Sequence, residues 1–420
     1  MNYAESVRFI HSRLKFGSRP GLDNIRRITS LLGNPQSSGM RFVHIAGTNG
    51  KGSISTMLSN MLIKAGFKTG LYISPYVVNF RERFQINGEM ISAKDFAKLA
   101  SRVKPLVEQL DLEGVCLTEF EIITAIAFLY FKESGCDYVV LEVGMGGRFD
   151  ATNIIESPDC SVIAHIDLDH TAVLGETYEQ IAYEKCGIIK SGCPVVSYPE
   201  QPDGAKAVIE KTALKKGCAL YVPQVPNADF AINKSTFTFE GEDYELKLIG
   251  EHQIKNSVTA IKAAKVLGIQ PDDICAALKS TQFFARFEVI SEKPLLILDG
   301  AHNPDGMTAL ADNIKRYCDK KPTLVIGMLK DKEYESALSI VAPLCENIIT
   351  LKVPNPRTLT AAQLGKSARK FCKNVWCARG YESALNMAYE KSNGAPIIVA
   401  GSLYLASVIR PKLLSFDKIQ

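Results

Sequence analysis

Residues 41–66 read RFVHIAGTNGKGSISTMLSNMLIKAG, and they decide the fold of the first half of the chain. The first six residues form a short apolar run of the kind that makes a buried strand. After a glycine-rich turn, apolar residues recur at spacings of three and four, which predicts an amphipathic helix that ends near Gly66. These residues are Ile54, Met57, Leu58, Met61 and Leu62.

The glycine-rich turn predicts a site for nucleotide phosphates. Glycines allow backbone N–H groups to point at phosphate oxygens, while the helix N-terminus and Lys51 add positive charge. Ser53 is placed to hold a magnesium ion. The strict Walker pattern GxxxxGK[ST] is not met, because Ile45 stands at its first glycine and Gly52 follows the lysine. The alternative is a turn with a surface lysine, but the flanking strand and helix favour a nucleotide site made of Gly47, Thr48, Asn49, Gly50, Lys51, Gly52 and Ser53.

Strand and helix patterns alternate through both halves of the chain, which is typical of a mainly parallel sheet. Residues 192–250 instead alternate polar and apolar side chains and predict a small antiparallel excursion. One helical segment is expected from His252 to about Lys279. A second alternation then starts at LLILDGAHNP, residues 295–304.

We therefore predict an α/β protein of two domains. The first, residues 1–285, is expected to be an ATP-binding domain with a P-loop-type, mainly parallel sheet flanked by helices. The second, residues 286–420, is expected to be a smaller Rossmann-like α/β domain. A chain of 420 residues with 46% hydrophobic residues can bury more than one core.

Composition excludes several classes of protein. The eleven cysteines are scattered and lack CxxC spacing, which favours a reducing compartment, the cytoplasm. The N-terminal residues lack the apolar segment of a signal peptide, and no run approaches the ~20 residues that span a bilayer. A formal net charge of +4 is too small to indicate nucleic-acid binding. We expect a cytoplasmic protein with no membrane and no nucleic-acid partner.

Polar residues at predicted strand ends are candidate metal ligands. Glu142 ends a buried strand, where a lone carboxylate is costly unless it meets a cation. A salt bridge with Arg or Lys is the alternative to a metal. Ser74 and His170 end two other strands, the latter beside Asp167 and Asp169, although His170 taken alone is more typical of a hydrogen-bonded loop residue. The GMGG turn after Glu142 does not complete GxGxxG, so a dinucleotide site is discounted.

Four further residues are candidate site residues, but the sequence around each of them gives weaker evidence for its role. Nothing near Lys185 distinguishes it from a helix-surface lysine. Asn256 can pair with an adenine edge, or it can be a capping or surface residue. Arg286 lies at the proposed hinge, from which it can reach a terminal phosphate when the domains close. Asp299 lies in a loop between a strand and a helix.

Motifs along nearly the whole chain resemble, in order and spacing, those of the folylpolyglutamate and dihydrofolate synthases of the Mur ligase superfamily. Tyr76 departs from the family pattern, in which His usually follows SP, and FFARFE at 283–288 replaces WPGRxE. The matching motifs are KFGSRPGLDNI (15–25), HIAGTNGKGS (44–53), SPYVVNFRERFQING (74–88), LTEFEIITAIAF (117–128), LEVGMGGRFDATN (141–153), DLDHTAVLG (167–175), EKCGIIK (184–190), HQIKNS (252–257), DGAHNP (299–304), GMLKDKEY (327–334) and GSLYLAS (401–407).

The resemblance implies roles for individual residues. It implies ATP and two Mg²⁺ ions, with Ser74 and Glu142 at one ion and His170 at the other, and a Lys185 carbamate that also binds magnesium. A need for a monovalent cation is left open. The implied catalytic residues are Lys51, Lys185 and His170; the implied ATP contacts in the second half are Asn256, Arg286, Asp299 and His302; and the implied pterin or folate site is Leu117, Thr118, Glu119, Phe120, Arg148, Phe149 and Asp150.

The activity that the resemblance implies is ATP-dependent addition of L-glutamate to tetrahydrofolate and to dihydropteroate through an acyl phosphate, by a monomer. Three alternatives stay open: a polyglutamate synthase alone, a Mur-type peptidoglycan ligase and an ATP-hydrolysing switch protein. The phosphate loop starts near residue 47, which leaves little room for the nucleotide-sugar domain of a peptidoglycan ligase. A switch protein needs no second small-molecule domain.

Overall fold

The computed structural model describes residues 1–17 and 21–416. Ser18, Arg19 and Pro20 of the KFGSRPGLDNI motif, and the last four residues of the predicted second domain, lie outside this description. The described residues contain seventeen strands, fifteen α-helices and several short 3₁₀ turns. Within these residues, no helix is long and apolar enough to cross a membrane.

The first sheet has eight strands, and all neighbouring pairs are parallel except the two at one edge. Its strands are β1 (Arg41–Ala46), β2 (Thr69–Tyr72), β3 (Phe84–Ile86), β4 (Glu89–Met90), β5 (Tyr138–Glu142), β6 (Cys160–Ile163), β7 (Val195–Ser197) and β8 (Leu220–Tyr221). Their order is β4-β3-β2-β5-β1-β6-β7-β8. The strand that leads into the phosphate loop is therefore central, between β5 and β6.

Two further sheets follow along the chain. An antiparallel meander consists of β9 (Ala228–Ala231), β10 (Lys234–Phe239) and β11 (Glu242–Leu246). The last sheet has the order β12-β13-β17-β14-β15-β16 and is parallel except for β12. Its strands are β12 (Glu288–Glu292), β13 (Leu295–Leu298), β14 (Thr323–Ile326), β15 (Asn347–Thr350), β16 (Val375–Cys377) and β17 (Ile397–Ala400).

Helices lie between most of the strands. They are α1 (Tyr3–His11), α2 (Asp23–Leu31), α3 (Lys51–Lys64), α4 (Ala93–Leu112), α5 (Glu119–Glu133), α6 (Thr171–Leu174), α7 (Tyr178–Lys185), α8 (Asp203–Lys215), α9 (Glu251–Val266), α10 (Pro271–Ser280), α11 (Pro304–Tyr317), α12 (Tyr334–Val341), α13 (Ala361–Ala368), α14 (Tyr381–Ser392) and α15 (Leu403–Phe416).

The predicted fold class is confirmed, with a large, mainly parallel sheet followed by a smaller one. Two local predictions were wrong. The antiparallel excursion begins at Ala228 and not at 192. The intervening residues instead form strands β7 and β8 of the main sheet, with helix α8 between them. The helix expected over 252–279 is two helices, since Gly268 turns the chain with a φ of +81° and Pro271 starts α10. The division at 285/286 stays a prediction.

Hydrophobic burial fixes the helix that follows the phosphate loop. The predicted apolar residues of α3, Ile54, Met57, Leu58, Met61 and Leu62, are all buried. They share one core with residues of β1, β6, α9 and α10. Burying each such side chain contributes roughly 1.5–3 kcal/mol, so the position of α3 relative to the sheet is strongly determined. The loop between β1 and α3 is consequently held at the C-terminal edge of the sheet.

The connection between the two large sheets contains two residues in left-handed conformation, Ala285 with a φ of +54° and Phe287 with a φ of +48°. Asp299 braces this segment by accepting hydrogen bonds from the Phe287 and Ala301 backbone N–H groups, both at 2.7 Å. Ala285 stands where the WPGRxE family pattern has glycine, the residue that adopts this conformation without a steric penalty.

Replacing Ala285 by glycine is expected to leave the free energy of unfolding nearly unchanged. Relief of a left-handed alanine, worth roughly 1–2 kcal/mol, offsets the loss of a buried methyl group, about 0.8 kcal/mol, and the conformational cost of glycine, roughly 0.5–1 kcal/mol. The urea midpoint of the two proteins measures the difference. Ala276→Gly, at an exposed position inside α10, is the matched control and should destabilise by roughly 0.5–1 kcal/mol. A larger loss of stability in Ala285→Gly than in Ala276→Gly would contradict the assignment of strain to this residue.

Candidate active site

A cavity of about 840 Å³ lies where the phosphate loop faces the second large sheet. The first domain contributes residues 48–53, Ser74 and Glu142 to its lining. The second contributes residues 299–303, Asp305, Gly306 and the segments around Lys332 and Ser402. Because both walls come from the carboxyl ends of parallel strands, the cavity occupies the position where open α/β sheets bind ligands.

The phosphate loop is packed too closely to accept larger residues at two glycines. A Cβ on Gly47 would lie 2.6 Å from the Ala164 Cβ, and one on Gly50 would lie 2.3 Å from the Asn256 Oδ1. Gly50 also has a φ of +82°. Lys51, at the start of α3, curls back and donates hydrogen bonds from Nζ to the Gly47 and Thr48 carbonyl oxygens, both at 3.0 Å. The end of the Lys51 side chain is therefore held by the backbone of the phosphate loop.

Glu142 lies buried at the end of β5, beside the phosphate loop. Its Oε2 accepts a hydrogen bond from the Ser74 backbone N–H at 3.0 Å. Burial raises the pKa of Glu142, and the nearby charges of Lys51 and Arg286 oppose that rise. Ser53, Ser74 and Glu142 all line the cavity. The structure thus brings together the three residues predicted at strand and helix ends.

Lys185 is buried at the end of α7, and its Nζ donates a hydrogen bond to the Gly47 carbonyl oxygen at 2.9 Å. Burial, and then the positive charge of Lys51, lower the pKa of Lys185 to about 7. The amine therefore lies behind the phosphate loop with a substantial neutral fraction at physiological pH.

His170 is half exposed and lies in left-handed conformation (φ +53°) before α6. Its neighbour Asp169 forms an ion pair with Lys332 of the second domain at 3.0 Å. In the described ranges, no group of three or more His, Cys, Asp or Glu side chains is arranged to hold a metal. His170, predicted for the second ion, and Lys185, predicted to bind magnesium as a carbamate, share no hydrogen bond among the described residues.

The residues predicted for the second half of the nucleotide site surround the same cavity. Asn256 is buried on α9, donates to Gln253 Oε1 at 3.1 Å and packs on Gly50. Arg286 lies within electrostatic reach of Glu142 and Asp299. His302 shares a hydrogen bond between its Nδ1 and the Gly300 carbonyl at 2.9 Å, and burial lowers its pKa to about 4.

The predicted pterin or folate residues lie around the start of α5 and the turn after β5. Phe120 packs on Tyr72 with ring centroids 5.9 Å apart and closes on Gly144, whose Cβ would lie 2.6 Å from its ring. Leu117 and Thr118 are buried, Glu119 pairs with His11 at 3.0 Å, and Phe149 is exposed.

Asp150 and Arg148 of the same predicted set already have protein partners. Asp150 accepts hydrogen bonds from the backbone N–H groups of Gly144, Met145 and Thr152, each at 3.0 Å. Arg148 lies over the Tyr183 ring at 4.0 Å. Asp150 therefore shapes the turn that would meet the substrate, and a direct substrate contact by either residue stays a prediction.

Contacts across the cavity include residues that the sequence did not single out. Asp305, in the first turn of α11, accepts a hydrogen bond from the Asn49 side chain at 2.5 Å and lies 3.4 Å from the His165 Nδ1. Asn303 caps the same helix by accepting from the Gly306 N–H at 2.9 Å. The Asn-Pro-Asp-Gly sequence carries this helix-start signal. No pattern in the neighbouring sequence predicts that Asp305 pairs with His165 or that Lys332 pairs with Asp169.

The Lys332–Asp169 pair is expected to stabilise the contact between the domains. Burial pushes the pKa of Asp169 upward, but Lys332 and His170 outweigh it and bring the pKa to about 2. Lys332→Met should lower the free energy of unfolding by about 1–2 kcal/mol at pH 7, since a partly buried carboxylate loses its partner. Because the folded pKa lies below the ordinary value of about 3.9, this contribution is present above pH ~4 and disappears as the pH falls towards 2.

Urea unfolding at pH 7 and at lower pH measures this contribution. Lys330→Met, at an exposed position two residues earlier, is the matched control and should leave the midpoint unchanged. Equal midpoints for wild type and Lys332→Met at pH 7 would show that the pair does not stabilise the protein.

The fold and the cavity define the class as that of the Mur-type ligases, which are ATP-dependent enzymes. Residues 45–264 match the Mur ligase middle domain, and residues 285–403 match the Mur ligase glutamate ligase domain. The second match begins at Ala285, the first residue of the left-handed connection.

Comparison with similar proteins identifies the family within the class of Mur-type ligases. A Bacillus subtilis protein named dihydrofolate synthase/folylpolyglutamate synthase is 35% identical, over 98% of this chain and 99% of its own. A Lacticaseibacillus casei folylpolyglutamate synthase is 36% identical over 99% of both chains. The solved structure of Escherichia coli FolC in complex with DHPP and ADP has a TM-score of 0.87 and 28% identity, covering 99% of both chains. The chain belongs to the folylpolyglutamate synthase/dihydrofolate synthase family.

Proposed function

We propose that this ligase uses ATP to add L-glutamate both to tetrahydrofolate, extending its glutamate tail, and to dihydropteroate, forming dihydrofolate. The observation that carries the proposal is the single cavity that joins the phosphate loop and Glu142 to the Asp299–Asp305 segment of the second domain. The double name of the Bacillus subtilis relative and the DHPP and ADP in the Escherichia coli structure support two acceptors and a nucleotide.

The reaction requires an activated carboxylate, because a carboxylate does not react with an amine at neutral pH. Transfer of the terminal phosphoryl group of ATP gives an acyl phosphate and ADP. The glutamate amine then attacks the acyl carbon, the amide bond forms, and inorganic phosphate leaves with the bonding electrons. We propose that Lys51 and Arg286, which both line the cavity, neutralise the charge around the transferred group.

The residues at the first predicted metal position fit magnesium. Mg²⁺ prefers oxygen ligands and is commonly held by one or two carboxylates together with nucleotide phosphates and water. Glu142 offers one buried carboxylate, and Ser53 and Ser74 line the same cavity with hydroxyl groups. We propose that these three residues hold the ion, which when bound would offset phosphate charge.

We propose that Lys185 is carbamylated and, with His170, serves a second magnesium ion. Its neutral amine can attack CO₂, forming an N–C bond and releasing a proton, which turns a cation into an anion. The lowered pKa of Lys185 favours this reaction, since only the unprotonated amine is nucleophilic. The positive charge of Lys51, which interacts electrostatically with Lys185, would stabilise a carbamate anion in this buried position behind Gly47.

The acyl phosphate must be protected from water. The Asn49–Asp305 and Asp169–Lys332 contacts hold the two walls of the cavity together, and the connection at Ala285–Phe287 is the segment about which they would separate. Both walls come from one chain, so a monomer suffices. None of the eleven cysteines forms a disulfide, which suits the cytoplasm that we propose for this enzyme.

A polyglutamate synthase without dihydrofolate synthase activity is the second candidate. The Lacticaseibacillus casei relative, at 36% identity, carries only that name. The two candidates share every residue of the ATP site and differ only in the acceptor, so substrate tests separate them.

The test is ADP release with L-glutamate and either dihydropteroate or tetrahydrofolate, followed by mass analysis for one added glutamyl unit. Turnover with both acceptors is the expected result. Turnover with tetrahydrofolate alone would leave the polyglutamate synthase. Turnover with neither would contradict both and return the Mur-type peptidoglycan ligase as the hypothesis, whereas ADP release dependent on a protein partner would indicate a switch.

A further inference from the structure

A pair of cysteines outside the proposed active site lies at the start of two adjacent strands. β7 and β8 pair in parallel with Val195 opposite Leu220 and Val196 opposite Tyr221. Extending this strand register by two residues towards the N-terminus places Cys193 opposite Cys218. The Gly192 N–H donates to the Lys216 carbonyl at 3.0 Å, so the two segments stay joined ahead of the strands.

Both cysteines contact one carbonyl group. The Lys190 carbonyl oxygen accepts hydrogen bonds from the Cys193 backbone N–H at 3.2 Å and from the Cys218 Sγ at 3.1 Å. Opposed residues on neighbouring strands have Cα atoms about 4.8 Å apart. Disulfides span Cα separations of about 4.4–6.8 Å, so the backbone needs no large movement to bring these two sulfurs together.

Two lysines lie beside the cysteine pair. Lys216 interacts electrostatically with both cysteines, and Lys190 interacts with Cys193. Cys218 is partly exposed and can meet an oxidant, whereas Cys193 is buried and in contact with Ser157 Oγ at 3.0 Å.

We propose that Cys193 and Cys218 form a reversible disulfide when the protein meets glutathione disulfide. The Cys218 thiolate attacks one sulfur of glutathione disulfide, an S–S bond forms, and one glutathione thiolate leaves. The Cys193 thiolate then attacks the Cys218 sulfur, forms the intramolecular S–S bond and expels the second glutathione thiolate. The protein loses two electrons and two protons, and the oxidant becomes two molecules of reduced glutathione.

The cross-link would join the two ends of the segment that contains α8. This helix packs against α7, which ends at Lys185, through Ala205, Ile209, Ile181 and Ala182. The cysteine pair therefore flanks the helix that packs against α7 and Lys185, the lysine proposed to be carbamylated. Neither cysteine lines the cavity. It does not depend on the identity of the folate acceptor.

The test exposes the folded full-length protein to glutathione disulfide, blocks the remaining thiols by alkylation and maps the digested peptides by mass spectrometry. We expect a Cys193–Cys218 linked peptide, a loss of about 2 Da relative to the two thiols, and recovery of both thiols with dithiothreitol. The wild-type protein alone decides the question, so the result does not depend on the folding of a variant.

Substitutions check the assignment of the link. Cys218→Ser and Cys193→Ser should each abolish the linked peptide, and Cys377→Ser, which removes an exposed cysteine of the second domain, should retain it. Two results would overturn the proposal: recovery of Cys193 and Cys218 as alkylated thiols after oxidation, or a glutathione adduct on Cys218 that Cys193 does not displace.

Discussion

Lys51→Ala is expected to reduce turnover by at least about 10²–10³-fold while the protein stays folded, because it removes the charge that we propose neutralises the transferring phosphoryl group. The Nζ of Lys51 lies within the loop itself, bonded to the Gly47 and Thr48 carbonyl oxygens. Its side chain contributes little to the core, which the apolar residues of α3 supply. Steady-state ADP release measures the effect on turnover, and circular dichroism measures the fold.

The control for this substitution lies on the same helix. Lys64→Ala, at the exposed last turn of α3, removes an equal charge far from the loop and should leave turnover unchanged. Calorimetric titration with ATP separates binding from chemistry in the Lys51 variant. Turnover within a few-fold of the wild type in Lys51→Ala would refute the assignment of the phosphate site.

Lys185→Ala is expected to cause a loss of comparable size, at least about 10²-fold, and to regain part of its activity when acetate or another small carboxylate is added. The deleted side chain leaves a buried space behind Gly47, where an added carboxylate can supply the oxygens of the proposed carbamate. Turnover as a function of acetate concentration is the measurement. Mass analysis of the intact wild-type protein with and without bicarbonate tests the modification directly.

Two control variants test the interpretation of the Lys185→Ala result. Lys211→Ala, at an exposed position on the neighbouring helix α8, should retain full activity. Lys51→Ala should gain nothing from acetate, because its loss is that of a cation. If acetate restored both variants equally, or if Lys185→Ala kept full activity, the carbamate proposal would fail.

Strong local patterns allowed much of the fold to be predicted. Buried strands and the α3 helix follow from short apolar runs and from three-and-four spacing, which act within about a dozen residues. Boundaries were predicted less well where weak signals competed. The Val195–Ser197 and Leu220–Tyr221 strands are short, so the excursion was placed too early, and the single helix over 252–279 overlooked the break at Gly268.

The sequence by itself determined the phosphate loop, because a strand, a glycine-rich turn and an amphipathic helix are adjacent in the chain and depend on local conformation. It also determined the order of motifs on which the family rests. Tertiary structure alone decided the contacts of Asn49 with Asp305, of Asp169 with Lys332, and of Lys185 with Gly47. These partners are far apart in sequence, and only the packing of two sheets around one cavity brings them within hydrogen-bond distance, because side-chain pairing across a fold leaves no periodic pattern in either segment.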